Sequence, residues 1–112
     1  MAKRSPPPVL PPAPTGLVAV AVGCSQVILA WTEGGNGSLG FHIERAAGRP
    51  PRGPFVEIGR VGPHVTAFHD ATVQPLSTYS YRVSTRNASV DSSPSDAVEV
   101  TMPQAGLETS TE

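Results

Sequence analysis

Cysteine occurs once in 112 residues, and aromatic residues make up only 5% of the chain. A single cysteine excludes an internal disulfide framework and a zinc site built from several cysteines. Charge is also sparse, with eight Lys and Arg against nine Asp and Glu for a formal net charge of −1. That balance provides neither a basic field for nucleic acid nor a polycationic face for an anionic membrane, so neither partner is expected. No apolar run approaches the ~18 residues that cross a bilayer, and Lys3 and Arg4 are followed by prolines where a signal peptide would have its apolar core. What is abundant is punctuation. There are 13 prolines and 11 glycines, with 38% hydrophobic residues left to build a core. The length suits one small domain, and frequent Gly and Pro suit many short strands better than a helical bundle.

The prolines are unevenly placed. Six of the 13 fall in the first 14 residues, within Ser5-Pro6-Pro7-Pro8-Val9-Leu10-Pro11-Pro12-Ala13-Pro14. Fixed φ and missing N–H groups make such a run an extended, semi-rigid spacer. At the other end Pro103 stops the last apolar alternation, and 104–112 is small and polar. The organisation expected is a proline-rich linker over 1–14, a folded domain over 15–103 and a polar tail over 104–112. Linkers at both ends imply neighbouring domains in one longer polypeptide.

Inside the folded part, period-two alternation recurs about every ten residues, separated by Gly, Pro, Asn and Ser clusters, which predicts a sandwich or barrel without helices. Strands are expected at Leu17–Val22, Gln26–Thr32, Gly40–Arg45, Phe55–Val61, Ala67–Asp70, Thr78–Asn87 and Ala97–Thr101. The alternation turns Val27, Leu29 and Trp31 inward, with Phe41 and Ile43 from the third strand and Tyr79, Tyr81 and Val83 from the sixth. Seven strands in under 90 residues is an immunoglobulin-like count.

Particular residues then carry a resemblance. Pro12-Ala13-Pro14-Thr15-Gly16-Leu17 leads into a strand, Ile28-Leu29-Ala30-Trp31 ends the second strand on tryptophan, and Val73-x-Pro75-x-Ser77-x-Tyr79-x-Tyr81-x-Val83 precedes and enters the sixth. Together these resemble a fibronectin type III domain over about Pro12 to Pro103. Val73 and Ser77 stand where the family more often has Leu and Thr. The resemblance implies an all-β, seven-stranded antiparallel sandwich of immunoglobulin-like type. It also implies a tyrosine corner, in which the Tyr79 hydroxyl bonds upstream backbone. The wording of Gly40–Arg45 and Phe55–Val61 is more similar to microbial members of the family, which travel in secreted, glycan-degrading or surface proteins.

Candidate chemistry is thin. His42, His64 and His69, with Asp70, are the residues a metal would use, but zinc ligands must converge on one point about 2 Å away, and alternation sends His42 outward while His64 lies in a turn. Asp70 fits better as a turn residue accepting backbone N–H groups. The acids are scattered, no G-x-S-x-G elbow occurs, and Cys24 has no motif around it, so no catalytic, cofactor-binding or metal residue is assigned. Each of the six rings, Trp31, Phe41, Phe55, Phe68, Tyr79 and Tyr81, is assigned to the core or its margin, which leaves none for a sugar platform. Arg45, Arg49, Arg52 and Arg60 outline a basic edge. Asn36-Gly37-Ser38 and Asn87-Ala88-Ser89 match the glycosylation sequon, relevant only in a secretory eukaryote.

The expectation is a monomeric, non-catalytic spacer or accessory module, about 35 to 40 Å long with strands rising ~3.3 Å per residue, in an extracellular or cell-surface protein. The alternative is a protein-binding or adhesion module that recruits a partner through the loops 34–40 and 88–95 or through an edge strand.

Overall fold

In a computed structural model, residues 10–35, 38–50, 52–88 and 90–105 are described. They form seven strands in chain order: β1 (Thr15–Val22), β2 (Gln26–Thr32), β3 (Gly40–Ala47), β4 (Val56–Val61), β5 (Ala67–Asp70), β6 (Thr78–Arg86) and β7 (Val98–Thr101). All pairings are antiparallel, in a three-stranded sheet of order β1-β2-β5 and a four-stranded sheet of order β4-β3-β6-β7. The expected strands are all present, with ends moved by at most two residues. The largest shifts are at β1, which starts at Thr15, and at β3, which runs on to Ala47 through pairing with Tyr79.

Alternation dictates what faces inward. Val27, Leu29 and Trp31 of β2 meet Phe41 and Ile43 of β3 and Tyr79, Tyr81 and Val83 of β6, and Leu17, Val73 and Met102 close the cluster. Trp31 lies one residue from the end of β2, so it closes one end of the core, edge-on to Phe41 with ring centroids 5.4 Å apart. The deepest ring is Tyr81, fully buried at the middle of β6. Burying these side chains contributes about 1.5–3 kcal/mol each.

Edges are blunted in three of four places. β5 and β7 have four residues each, and β4 carries an irregularity opposite Ile43 and Glu44. β1 is the exception: it has eight residues, without charge or internal proline, and only its first turn is displaced, at Gly16 with φ +65°. Long, uncharged edges are the ones that pair with other chains.

Candidate functional site

Strand order and direction place the chain's entry and exit at opposite ends. β1 starts at one pole together with loops 33–39, 62–66 and 87–97. The other pole collects loops 23–25, 48–55 and 71–77 and the end of β7.

At the entry pole, part of the proline run is packed onto the sandwich. Pro14 is buried, and the Pro12 carbonyl accepts a hydrogen bond from the Thr85 hydroxyl at 3.0 Å. Gly34 sits so close beneath that a Cβ there would lie 2.5 Å from the Ala13 carbonyl oxygen and 2.8 Å from the Pro12 side chain. Glycine at 34 is what lets the incoming chain lie flat. The loop after β6 is laced to that strand: Ser92 and Thr85 exchange backbone and hydroxyl bonds (2.9 and 2.8 Å), as do Ser95 and Val83 (2.7 and 3.1 Å). Among the described residues, the recess between Pro11, Pro12, Gly34, Phe41 and Thr85 has a volume of about 10 Å³, too small for an organic ligand, whereas a larger one of about 490 Å³ opens at the surface between Pro14, Gly16, Leu17, Pro94, Ser95 and Val98.

At the exit pole, the Tyr79 hydroxyl accepts the Gln74 backbone N–H at 2.9 Å, the upstream contact expected of a tyrosine corner. The same crossover is sewn to the chain's departure: Met102 N–H donates to Ser77 carbonyl (2.8 Å) and Leu76 N–H to Pro103 carbonyl (3.2 Å). Leu76 takes the left-handed conformation, φ 65°, with its side chain 69% exposed.

Beside it lies a polar cluster between the sheets. Asp70, at the end of β5, is 3% exposed. Its Oδ1 accepts the Thr72 backbone N–H (3.0 Å) and hydroxyl (2.7 Å), as aspartate turns do. Its Oδ2 accepts the Tyr81 hydroxyl (2.7 Å) and an Arg45 guanidinium N–H (2.8 Å). Burial pushes the Asp70 carboxyl up, but bonds from the Thr72 hydroxyl, Tyr81, the Thr72 amide and Arg45 outweigh it and hold it below its ordinary range. Burial first, and then the Asp70 charge, drive the Tyr81 phenol far above its ordinary value. Arg45 also lies over the Tyr79 ring at 4.9 Å. One carboxylate thus ties β5 to β3 and β6.

The two outer faces differ in kind. On the four-stranded sheet Arg82 donates to Glu44 at 2.6 Å, directly across the β3–β6 register, and Arg60 to Glu57 at 2.6 Å. His42 stands between Glu57 and Asp91. On the three-stranded sheet Val18, Val20 and Val22 stand outward from β1, with Ile28, Ala30 and Gln26 opposite them on β2 and His69 beyond Ile28 on β5. No acidic residue, lysine or arginine is among them. Val18 and Val20 are 52% and 56% exposed.

The residues singled out from sequence therefore disperse. His42, His64 (2.9 Å from Glu33) and His69 lie apart, and among the described residues no three His, Cys, Asp or Glu side chains gather as metal ligands. The expected basic edge comes apart as well, because Arg45 bonds Asp70, Arg60 bonds Glu57 and Arg52 lies over Phe55 at 5.0 Å. Phe55 is half-buried, with Arg82 on it at 4.1 Å, and Phe68 is half-buried against Gly59. Asn87 is half-exposed; Asn36, and the linker and tail positions 1–9 and 106–112, lie outside the described residues. The Asp70 bonds to Arg45 and Tyr81 were missed from sequence, since 25 and 11 residues separate the partners and no local pattern joins them.

No protein-family model matches the chain, and no curated protein matches it. Solved structures do. A Fn3-like protein from Clostridium thermocellum is 25% identical, with 86% of this chain and 97% of that one covered and a TM-score of 0.71. The fn3 domain of human contactin 1 is 17% identical over 99% of this chain and 93% of that one, TM-score 0.76. A run of titin domains is 22% identical over 85% of this chain, TM-score 0.72, and there the chain spans 33% of the other's length. The fold is that of a fibronectin type III domain, and it matches single domains within multidomain proteins.

Proposed function

We propose that the chain is a non-catalytic spacer module that holds the domains before and after it at a set distance in a longer protein. The observation that carries this reading is the pair of anchored ends. Incoming chain is fixed at Pro12 and Pro14, and outgoing chain at Met102 and Pro103, on opposite poles. With eight-residue strands rising ~3.4 Å each, the body between the anchors is about 27 Å, before loops are added. Ordered take-off points transmit that length, whereas a frayed junction would blur it. The likeness to domains embedded in longer chains supports the reading. The Clostridium thermocellum match supports a microbial setting, and a secreted or surface-anchored, glycan-degrading host belongs to the same proposal.

The test is a distance distribution. Spin labels on residues 10 and 105 of the intact chain, read by double electron–electron resonance, should give one narrow distance. Thr85→Ala should broaden it at the entry end without unfolding the domain. A broad distribution in the unaltered chain overturns the spacer reading.

A second reading, a protein-binding module, is favoured by the uncharged valine face beside the open β1 edge. Immobilised chain would be exposed to host-surface extract and to polysaccharides. Saturable binding that Val20→Lys removes would put recruitment in place of spacing.

A further inference from the structure

Two buried side-chain polar atoms have no hydrogen-bond partner among the described residues, the indole Nε1 of Trp31 and the hydroxyl oxygen of Ser38. Of the two, only Ser38 lines the small recess at the entry pole, which Pro11, Pro12, Glu33, Thr85 and Asn87 also bound. A buried hydroxyl with nothing to bond costs free energy. Folded proteins keep few such groups, and ordered water serves many of those that protein atoms do not reach.

The size of the recess decides what can serve this one. About 10 Å³ is open to the centre of a water molecule, and a single water needs about 10–15 Å³ of such space. Nothing larger fits. The walls are also too stiff to close on the hydroxyl. Proline fixes φ at Pro11 and Pro12, the Pro12 carbonyl is held by Thr85 at 3.0 Å, and a Cβ on Gly34 or Gly35 would already lie 2.8 or 3.1 Å from the Pro12 side chain.

The polar groups on the walls complement a water. The Thr85 hydroxyl gives its proton to the Pro12 carbonyl, so towards the recess it can only accept. The Ser38 proton is uncommitted. Glu33, whose Oε2 faces His64, and Asn87, whose Oδ1 takes the Ala88 N–H, bring two further side-chain acceptors to the same recess.

We propose that this recess is a binding site for one structural water, which accepts from the Ser38 hydroxyl and donates to the Thr85 hydroxyl oxygen, with Glu33 and Asn87 beside its second proton. The water joins three pieces of chain, the 33–39 loop, β6 and the incoming prolines, and so shares in holding the entry chain on the sandwich. Its existence does not depend on the spacer reading.

Two measurements on the 112-residue chain test the site. In crystals that show ordered water, one peak should lie within hydrogen-bond distance, about 2.5–3.0 Å, of both the Ser38 and the Thr85 hydroxyl oxygens. A recess without that peak, or a Ser38 hydroxyl turned onto a protein acceptor, overturns the site. Urea unfolding of Ser38→Ala, followed by Trp31 fluorescence, supplies a sign. With the water held, alanine strips it of a partner and the midpoint falls; with a dry hydroxyl, alanine removes an unsatisfied group and the midpoint stays or rises. A midpoint that does not fall overturns the proposal. Either failure would leave the bond from Thr85 to Pro12, and with it the end-to-end distance test, untouched.

Discussion

Replacing Asp70 with alanine should be the most damaging single change outside the hydrophobic cluster. The carboxylate is 3% exposed and receives bonds from the Thr72 amide and hydroxyl, the Tyr81 hydroxyl and Arg45. Breaking a buried pair by removing one partner costs about 3–5 kcal/mol. Counting donors leads to a similar figure, since the Tyr81 hydroxyl is fully buried and Arg45 largely so, and stranding such groups costs about 1–3 kcal/mol each. For a domain this size, a loss of about 3 kcal/mol lowers Tm by roughly 12–24 °C. The assay is urea unfolding followed by Trp31 fluorescence, with the denaturant slope compared between variants to confirm one transition. A loss under about 1 kcal/mol would refute the claim that this cluster joins the sheets. Acid provides a second arm. The folded Asp70 pKa is depressed, so its stabilisation is present above the unfolded value, about 3.9, and fades as pH falls through the lower folded value. The stability gap between the unaltered chain and Asp70→Asn should therefore shrink below about pH 4, and a constant gap would contradict the assignment.

Tyr79→Phe removes the acceptor for the Gln74 amide and should cost about 1–2 kcal/mol by denaturant midpoint; an unchanged midpoint would count against the corner. Leu76→Asn should be neutral or stabilise by up to about 1 kcal/mol, because asparagine tolerates the left-handed backbone and the exposed leucine buries little; clear destabilisation would show that Leu76 packs on something. Gly40→Ala and Gly48→Ala both place a Cβ on positive φ, at +135° and +98°. Only at Gly40 does that Cβ run into the Val61 backbone carbonyl, so calorimetry should show Gly40→Ala costing more by about 1–3 kcal/mol; equal losses would leave backbone strain as the whole effect.

The legible part of this protein was local. Period two in Gln26–Thr32 and Thr78–Arg86 named both the strands and their inward residues, because a strand's side-chain period is independent of its partner. The corner was legible too: Pro75 and Tyr79 lie four residues apart, and the bond to Gln74 closes within the same turn. The proline run was legible as extended chain, though not that Pro12 and Pro14 would lie on the sandwich, which depends on Gly34 and Thr85 arriving beneath them.

Sequence by itself determined an all-β sandwich, its strand boundaries to within two residues and its core, since these follow from alternation, turn residues and composition. Tertiary structure decided which partners Arg45 and His42 meet. Arg45 could have served a basic edge until the sheets stacked it on Asp70, and His42 was a lone outward histidine until β4 and the 87–97 loop set a carboxylate at each ring nitrogen. Such contacts join residues 15 to 49 positions apart, and the physical reason they escape sequence is that side-chain bonds of a few ångströms depend on sheet register and packing, which no local period encodes.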